Sequence, residues 1–220
     1  MKQYVVVNYF FLMNDKKYQA QLALVEAAKA KKQAFVLNCK RILTEQHFVE
    51  TADLFMDNFE HATLIPHFYI YEADFILQLD KLPLYGVLLA ASHDNPEVGY
   101  FGQAEHLFGY LQTTVDYGHI LITPKSSEQK LVSFFIKQHS KYTTDNQFLK
   151  KFQVEEANEN KSVHSFPPAF TQSLMAFDEL HLEFNGHHCF FLTSLKGLSE
   201  EECNRFITLS GILLNHLVKL

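Results

Sequence analysis

A β-hairpin signal near the C-terminus is the feature that most constrains how this chain folds. Asn185-Gly186 separates two apolar runs, and this dipeptide is the strongest two-residue hairpin signal. With these two residues as the turn, Leu182 is expected to pair with Cys189. Successive strand residues alternate between faces, so both lie on one apolar face that we expect to be buried. We therefore interpret Cys189 as a small core residue rather than a nucleophile.

The opposite face of the predicted hairpin is polar. It carries His181, Glu183 and His188 within cross-strand reach of one another. Two imidazoles and one carboxylate can hold a zinc ion and leave one coordination position open. The alternative is a polar, solvent-facing surface without a metal, and this is the interpretation that we adopt.

A C-terminal helix is expected to follow the hairpin. Ser199 and Glu202 have the spacing of a capping box. The apolar surface of this helix is wider than the stripe of about 100° that packing against one neighbour needs, because it also includes Ile207, Leu214 and Val218. We expect these three side chains to pack inside the domain, and exposure would make them the candidate partner-binding residues. The main apolar stripe runs through Phe206, Leu209, Leu213, Leu217 and Leu220.

The first 71 residues are predicted to form a β-α-β-α-β arrangement. Runs of β-branched and aromatic residues indicate strands at 4–13, 34–42 and 64–71. Helices are expected over 16–32 and after Thr44, where apolar residues recur every three or four positions. This order is typical of a sheet whose strands are joined by helical crossovers.

The middle of the chain mixes strand and helix signals. An apolar run at 85–91 predicts a central strand that the polar residues 92–96 interrupt. Apolar spacing predicts a helix over 101–111, and a further strand is expected at 119–123. Capping boxes predict two more helices, which begin at Ser126 and Thr144.

These elements predict a mixed α/β sandwich with a central mixed sheet of about five to seven strands. Helices are expected on both faces, and the C-terminal hairpin and helix complete a single domain over residues 1–220. The polar segment 155–165 is expected to be a mobile loop because it offers few apolar groups to offset the cost of ordering. We expect proteases to cut the free chain between Ala157 and Lys161.

Composition and charge exclude several classes of function. The net charge of −6 argues against nucleic-acid binding, because phosphate backbones attract basic surfaces. No glycine precedes Gly86, so the first strand–helix turn cannot be a glycine-rich phosphate loop. Three cysteines cannot form a disulfide framework and favour a reducing compartment. No apolar run approaches the roughly 18 residues of a membrane span, so we expect a cytoplasmic protein, and no cofactor is implied.

The best catalytic candidates are His93 and Asp94. They follow the predicted central strand, and sites in α/β sheets gather at strand ends. A hydrolase or transferase centred on this pair is therefore one hypothesis. The alternative is an Asx turn ahead of Asn95-Pro96, where polar residues are expected in any case.

The sequence supports three hypotheses for function and leaves enzyme activity open. The chain has 21 Phe and 10 Tyr, and adjacent Phe pairs imply apolar surface on two sides of an element, some of which a partner chain can cover. We therefore expect a non-enzymatic adaptor or accessory subunit that binds protein partners, for example in a bacterial secretion or transport complex. The alternatives are a small-molecule sensor with an aromatic-lined pocket and the hydrolase or transferase. The motifs are generic and leave the oligomeric state open.

Overall fold

The computed structural model describes residues 3–51, 68–80, 82–95, 100–126, 142–143, 145–156, 164–193 and 199–218. Within these residues the helices are α1 (Gln3–Glu45), α2 (Asn146–Lys151), α3 (Pro168–Leu174) and α4 (Glu200–Leu217). The strands are β1 (Phe48–Glu50), β2 (Phe68–Leu79), β3 (Leu84–Asn95), β4 (Tyr100–Gln112), β5 (His119–Pro124), β6 (Phe152–Glu156), β7 (His181–Asn185) and β8 (His188–Leu192).

The described strands form one eight-stranded sheet in the order β1-β2-β3-β4-β8-β7-β5-β6. Every pair in it is antiparallel. The helices and this sheet confirm the predicted mixed α/β class. The predicted sheet of about five to seven strands with mixed directions is wrong, since eight described strands pair only antiparallel. The β-α-β-α-β beginning is wrong as well, because helical crossovers join parallel strands.

The first helix replaces two of the predicted strands. Residues 4–13 and 34–42 both lie in α1, and the helix predicted over 16–32 is confirmed as its middle part. The β-branched and aromatic residues of these two segments favour a strand only weakly. The chain has no glycine or proline before Pro66, so no residue of either type interrupts α1. His47, with a φ of 67°, lies just beyond the end of α1.

Long strand pairings explain the corrections in the middle of the chain. The predicted break after residue 91 is wrong, because β3 continues to Asn95 and pairs with β4 along its whole length. The helix predicted over 101–111 is also wrong, since that segment is β4 and lies between β3 and β8. The apolar spacing of this segment is compatible with a helix and with a strand, and hydrogen bonding to two neighbouring strands favours the strand.

Several of the other predicted elements are confirmed at least in part. The strand at 119–123 is β5, and the central strand at 85–91 lies in β3. A helix follows Thr144 as predicted, although Asp145 caps it by accepting hydrogen bonds from two backbone amides. Phe48 begins β1 rather than lying in a helix, and β2 begins at Phe68. The predictions over 52–67 and 127–141 lie outside the described residues.

The chain divides into two compact units, Met1–Asn38 and Cys39–Leu220, called unit 1 and unit 2 below. The described part of unit 1 is helix α1 as far as Asn38. Unit 2 contains the sheet, the other helices and the last turns of α1. The predicted loop at 155–165 falls in unit 2, where Glu155 and Glu156 end β6 and residues 157–163 lie outside the described part.

Aromatic rings join α4 to one face of the sheet and form the core of unit 2. Phe206 of α4 stacks on Phe191 of β8 with ring centroids 5.2 Å apart. The centroid of the Phe48 ring lies 6.0 Å from that of Phe206. A β-carbon on Gly86 of β3 would lie 3.1 Å from the Phe206 ring, so glycine leaves space for that ring. Helix α4 therefore packs against residues of β1, β3 and β8.

Candidate functional site

The C-terminal hairpin forms as predicted but turns one residue later. Its turn residues are Gly186 and His187, and Leu182 pairs with Phe191 instead of Cys189. Gly186 has a φ of 62°, a backbone conformation that glycine adopts without strain. A turn displaced by one residue shifts the partner of each strand residue by two positions. Residues two positions apart lie on the same face of a strand, so each residue keeps its predicted face. Leu182 and Cys189 are accordingly both fully buried.

The polar face of the hairpin contacts residues of two other strands of the sheet, β4 and β5. The solvent-facing interpretation is wrong at Glu183, which is fully buried, with its carboxylate 2.9 Å from Nε2 of His119 on the neighbouring strand β5. The hydroxyl of Tyr110 on β4 lies 2.6 Å from Nδ1 of His188. These contacts give polar partners to groups that would be costly to bury alone. The sequence did not predict that His119 or Tyr110 contacts the hairpin, because strand order cannot be derived from local patterns.

Burial shifts the pKa values of two side chains on this face in the direction that favours their uncharged forms. Burial, and secondarily the neighbouring Tyr85, raises the pKa of Tyr110 to about 12. Burial also lowers the pKa of His181 below its ordinary value, an effect that Glu179 partly opposes. A neutral phenol and a neutral imidazole are therefore favoured at neutral pH.

The three candidate metal ligands are spread along the hairpin. His188 pairs with Asn185 and His181 pairs with Leu192, which places the two imidazoles near opposite ends of the strand pair. Glu183 lies between them and contacts His119. Among the residues that the structure describes, no group of three or more His, Cys, Asp or Glu side chains is arranged to hold a metal ion.

His93 and Asp94 lie within strand β3 rather than in a turn after it. Their backbone partners on β4 are Gly102 and Phe101. The described structure of both residues is limited to the backbone. The Asx turn predicted to end at Asn95-Pro96 extends beyond the described residues, which stop here at Asn95, and the catalytic role of the pair stays a prediction.

The three candidate partner-binding residues of α4 are at least partly covered within the chain. Leu214 is buried, and Ile207 and Val218 are half-buried. Ser199 caps the helix as predicted by accepting a hydrogen bond from the amide of Glu202. The burial of these side chains favours the interpretation that α4 packs inside unit 2.

Helix α1 carries a different set of apolar residues that are exposed to solvent. From Lys17 to Leu37, every described side chain is exposed except that of Val36, which is half-buried. Leu24 is 71% exposed and Leu37 is 66% exposed. We call the exposed apolar side chains of this segment the α1 apolar surface: Tyr18, Leu22, Leu24, Val25, Phe35 and Leu37.

The α1 apolar surface extends around more than one side of the helix. Tyr18, Leu22 and Val25 follow one line, at spacings of four and three residues. Leu24 and Phe35 are separated by eleven residues, about three helical turns, and follow a second line. Adjacent residues such as Leu24 and Val25 point about 100° apart. A single flat contact therefore cannot cover the whole surface.

A groove lies beside the first turns of α4. It is lined by residues that follow α3, with Phe177 as its aromatic residue, and by the first turns of α4. Arg205, which also lines it, forms ion pairs with Glu201 and Glu202 at 2.6 and 3.4 Å. Phe177 is the only aromatic residue among the described residues that line this groove, and the small-molecule sensor stays a prediction.

None of the helices in the described part of the chain combines the length and apolar character that crossing a bilayer requires. In the comparisons with known proteins, the chain has no significant match to a protein-family model, a curated protein or a solved structure.

Proposed function

We propose that the protein is a non-enzymatic accessory subunit that binds another protein through the α1 apolar surface. The exposure of Tyr18, Leu22, Leu24, Val25, Phe35 and Leu37 on one long helix is the observation that supports this proposal. Helices in proteins obtain most of their stability from packing an apolar face against a neighbour. Among the residues that the structure describes, the side chains from Lys17 to Leu37 have almost no such neighbour. A second protein would supply the missing contact.

The charge of unit 1 indicates the chemistry of that partner. Unit 1 contains six lysines and two acidic residues, a net charge of +4, whereas unit 2 has a net charge of −10. Lys17, Lys29 and Lys31 are exposed alongside the apolar residues. An apolar partner surface bordered by Asp and Glu would bury the leucines and attract the lysines.

The distribution of the apolar residues indicates the shape of the partner. Leu22 and Leu24 lie on different sides of α1, so a partner that covers both must contact the helix from at least two directions. Neighbouring helices of a bundle meet this requirement, because each covers a stripe of about 100°. We therefore expect a helical partner.

The experiment is a native mass measurement on the tagged full-length chain, purified from its own cells. The wild-type chain of 25.5 kDa should run in a larger complex that contains a second polypeptide. A Leu22→Glu/Val25→Glu variant should run as the lone chain, because it places two carboxylates on one line of the α1 apolar surface. Both side chains are exposed, so the free energy of unfolding of the variant should stay within about 0.5 kcal/mol of the wild-type value.

A matched control separates apolar contact from charge. Gln19→Glu/Gln21→Glu adds the same two negative charges to exposed polar positions of the same helix segment and should retain the complex. A wild-type chain that purifies alone, or only with copies of itself, contradicts the accessory-subunit function. Survival of the complex in the Leu22/Val25 variant contradicts α1 as the binding surface.

A further inference from the structure

Two buried cysteines from distant parts of the chain meet inside unit 2. Cys39 lies near the end of α1 and Cys203 in the first turns of α4, 164 residues further along the chain. Their sulfur atoms are 2.7 Å apart. The side chains are 2% and 1% exposed, so the contact is shielded from solvent.

Packing on both sides holds this thiol pair in place. Cys203 donates its backbone amide to the carbonyl of Ser199, the residue that caps α4. Ile42 and Leu43, in the next turn of α1, are both buried. The sulfurs need only a small further approach to reach the bond length of about 2.05 Å in a disulfide.

We propose that Cys39 and Cys203 form a disulfide when the chain meets a disulfide oxidant such as oxidised glutathione. One cysteine loses its proton, and its thiolate attacks the oxidant, forming a mixed disulfide and releasing one glutathione thiol. The second cysteine loses its proton and attacks the protein sulfur of that mixed disulfide, releasing the second glutathione thiol. The protein loses two protons and two electrons, and the oxidant becomes two reduced glutathione molecules.

The environment of the pair determines when it reacts. The hydrogen bond with Cys203, together with burial, raises the pKa of the Cys39 thiol above its ordinary value. Few thiolates are therefore present in the closed structure, and a bulky oxidant cannot reach the sulfurs there. Oxidation should proceed when this part of unit 2 opens, or during folding, and the closed structure should then favour the second step.

The third cysteine provides the internal control. Cys189 is fully buried on β8, and burial raises the pKa of its thiol as well. It makes a different close contact, with its sulfur 4.0 Å from the carbonyl oxygen of Phe190. All three thiols are therefore buried, and only Cys39 and Cys203 have a thiol partner in the described structure.

The test is refolding of the full-length chain in buffers of defined reduced-to-oxidised glutathione ratio. Remaining thiols are then alkylated, and intact mass and peptide mapping identify the modified residues. The expected product is a monomer that has lost two hydrogens, retains one alkylatable thiol at Cys189 and contains a crosslinked Cys39–Cys203 peptide pair. Three alkylated thiols at every ratio, or a crosslink that includes Cys189, overturns the proposal.

A thermal measurement provides a second readout on the same samples. The oxidised chain should melt roughly 5–15 °C above the reduced chain, since the link closes a long loop in the unfolded state. Dithiothreitol should reverse that rise. A Cys189→Ser variant should retain the difference between oxidised and reduced protein, and Cys203→Ser should lose it. Equal melting of mapped oxidised and reduced wild-type protein contradicts a stabilising link between α1 and α4.

Discussion

Single residues determine how closely neighbouring elements of unit 2 approach one another. Gly109 on β4 pairs with Phe191 on β8, and the phenyl ring of Phe191 lies directly over the glycine. A β-carbon built on Gly109 would lie 1.9 Å from the ring atom Cζ, far inside van der Waals contact. The same ring stacks on Phe206, so the space left by Gly109 permits the contact between sheet and α4. Glycine is used here for its lack of a side chain rather than for a turn.

Replacing Gly109 should therefore destabilise the fold. Gly109→Ala forces the buried Phe191 ring to move, and overpacking of this kind costs about 1–3 kcal/mol. The control is Gly211→Ala in α4, where a new β-carbon has no neighbour within 4 Å. In a helix interior that change should stabilise by about 0.5–1 kcal/mol. Urea unfolding of both variants measures the two effects, and a neutral Gly109→Ala would show that the ring shifts at no cost.

At the scale of elements, α4 shows how one helix buries nearly all of its apolar surface. Leu213 is fully buried, Leu214 is 7% exposed, and Thr114 donates its backbone amide to the carbonyl of Leu217 near the helix end. Helix α1 differs, because its described residues in unit 1 present their apolar groups to solvent. Among the described side chains, the apolar residues of α4 are therefore mostly covered, whereas those of α1 in unit 1 are exposed.

Truncating the buried surface of α4 should be costly. Leu213→Ala should reduce the free energy of unfolding by about 2–5 kcal/mol, the range for removing a fully buried leucine. Ile212→Ala removes a similar volume at a half-buried neighbouring position and should cost less. Chemical denaturation measures both variants. Equal losses in the free energy of unfolding for the two variants would contradict the difference in burial between Leu213 and Ile212.

For the whole molecule, the division into units separates exposed from packed regions. Lys17, Lys29 and Lys31 of unit 1 are exposed on a helix whose described side chains make few contacts. Lys125 of unit 2 is 4% exposed, and its ammonium group donates to the carbonyl oxygen of Leu149. Burial lowers the pKa of this lysine below its ordinary value.

Limited trypsin digestion of the free full-length chain should reflect this contrast. Local opening is easiest where few buried contacts must break, so cleavage at Lys17, Lys29 and Lys31 should precede cleavage at Lys125. Mass spectrometry of the time course identifies each cut. Addition of the partner should slow cleavage in unit 1 and leave the rate at Lys125 unchanged. Cleavage at Lys125 as fast as at Lys17 would contradict the contrast in packing.

Local chemistry was sufficient to predict the C-terminal part of the fold. The Asn185-Gly186 signal and the alternation of side chains predicted the buried face of the hairpin, although the turn lies one residue later. Ser199 and the apolar spacing predicted α4 because capping and periodicity depend on residues close in sequence. Both signals act within a few residues, and the final structure preserves them.

The tertiary structure decided the features that depend on distant residues. Strand pairing made residues 101–111 a strand, and an uninterrupted helix included the strand-like residues 4–13. The pairing of β5 with β7 brought His119 to Glu183, and the packing of α4 brought Cys203 to Cys39. Local propensities are worth a fraction of a kcal/mol per residue, whereas pairing and burial act on whole elements at once. For this reason the sequence determined that a hairpin forms and where α4 begins, and only the folded chain determined which surfaces meet.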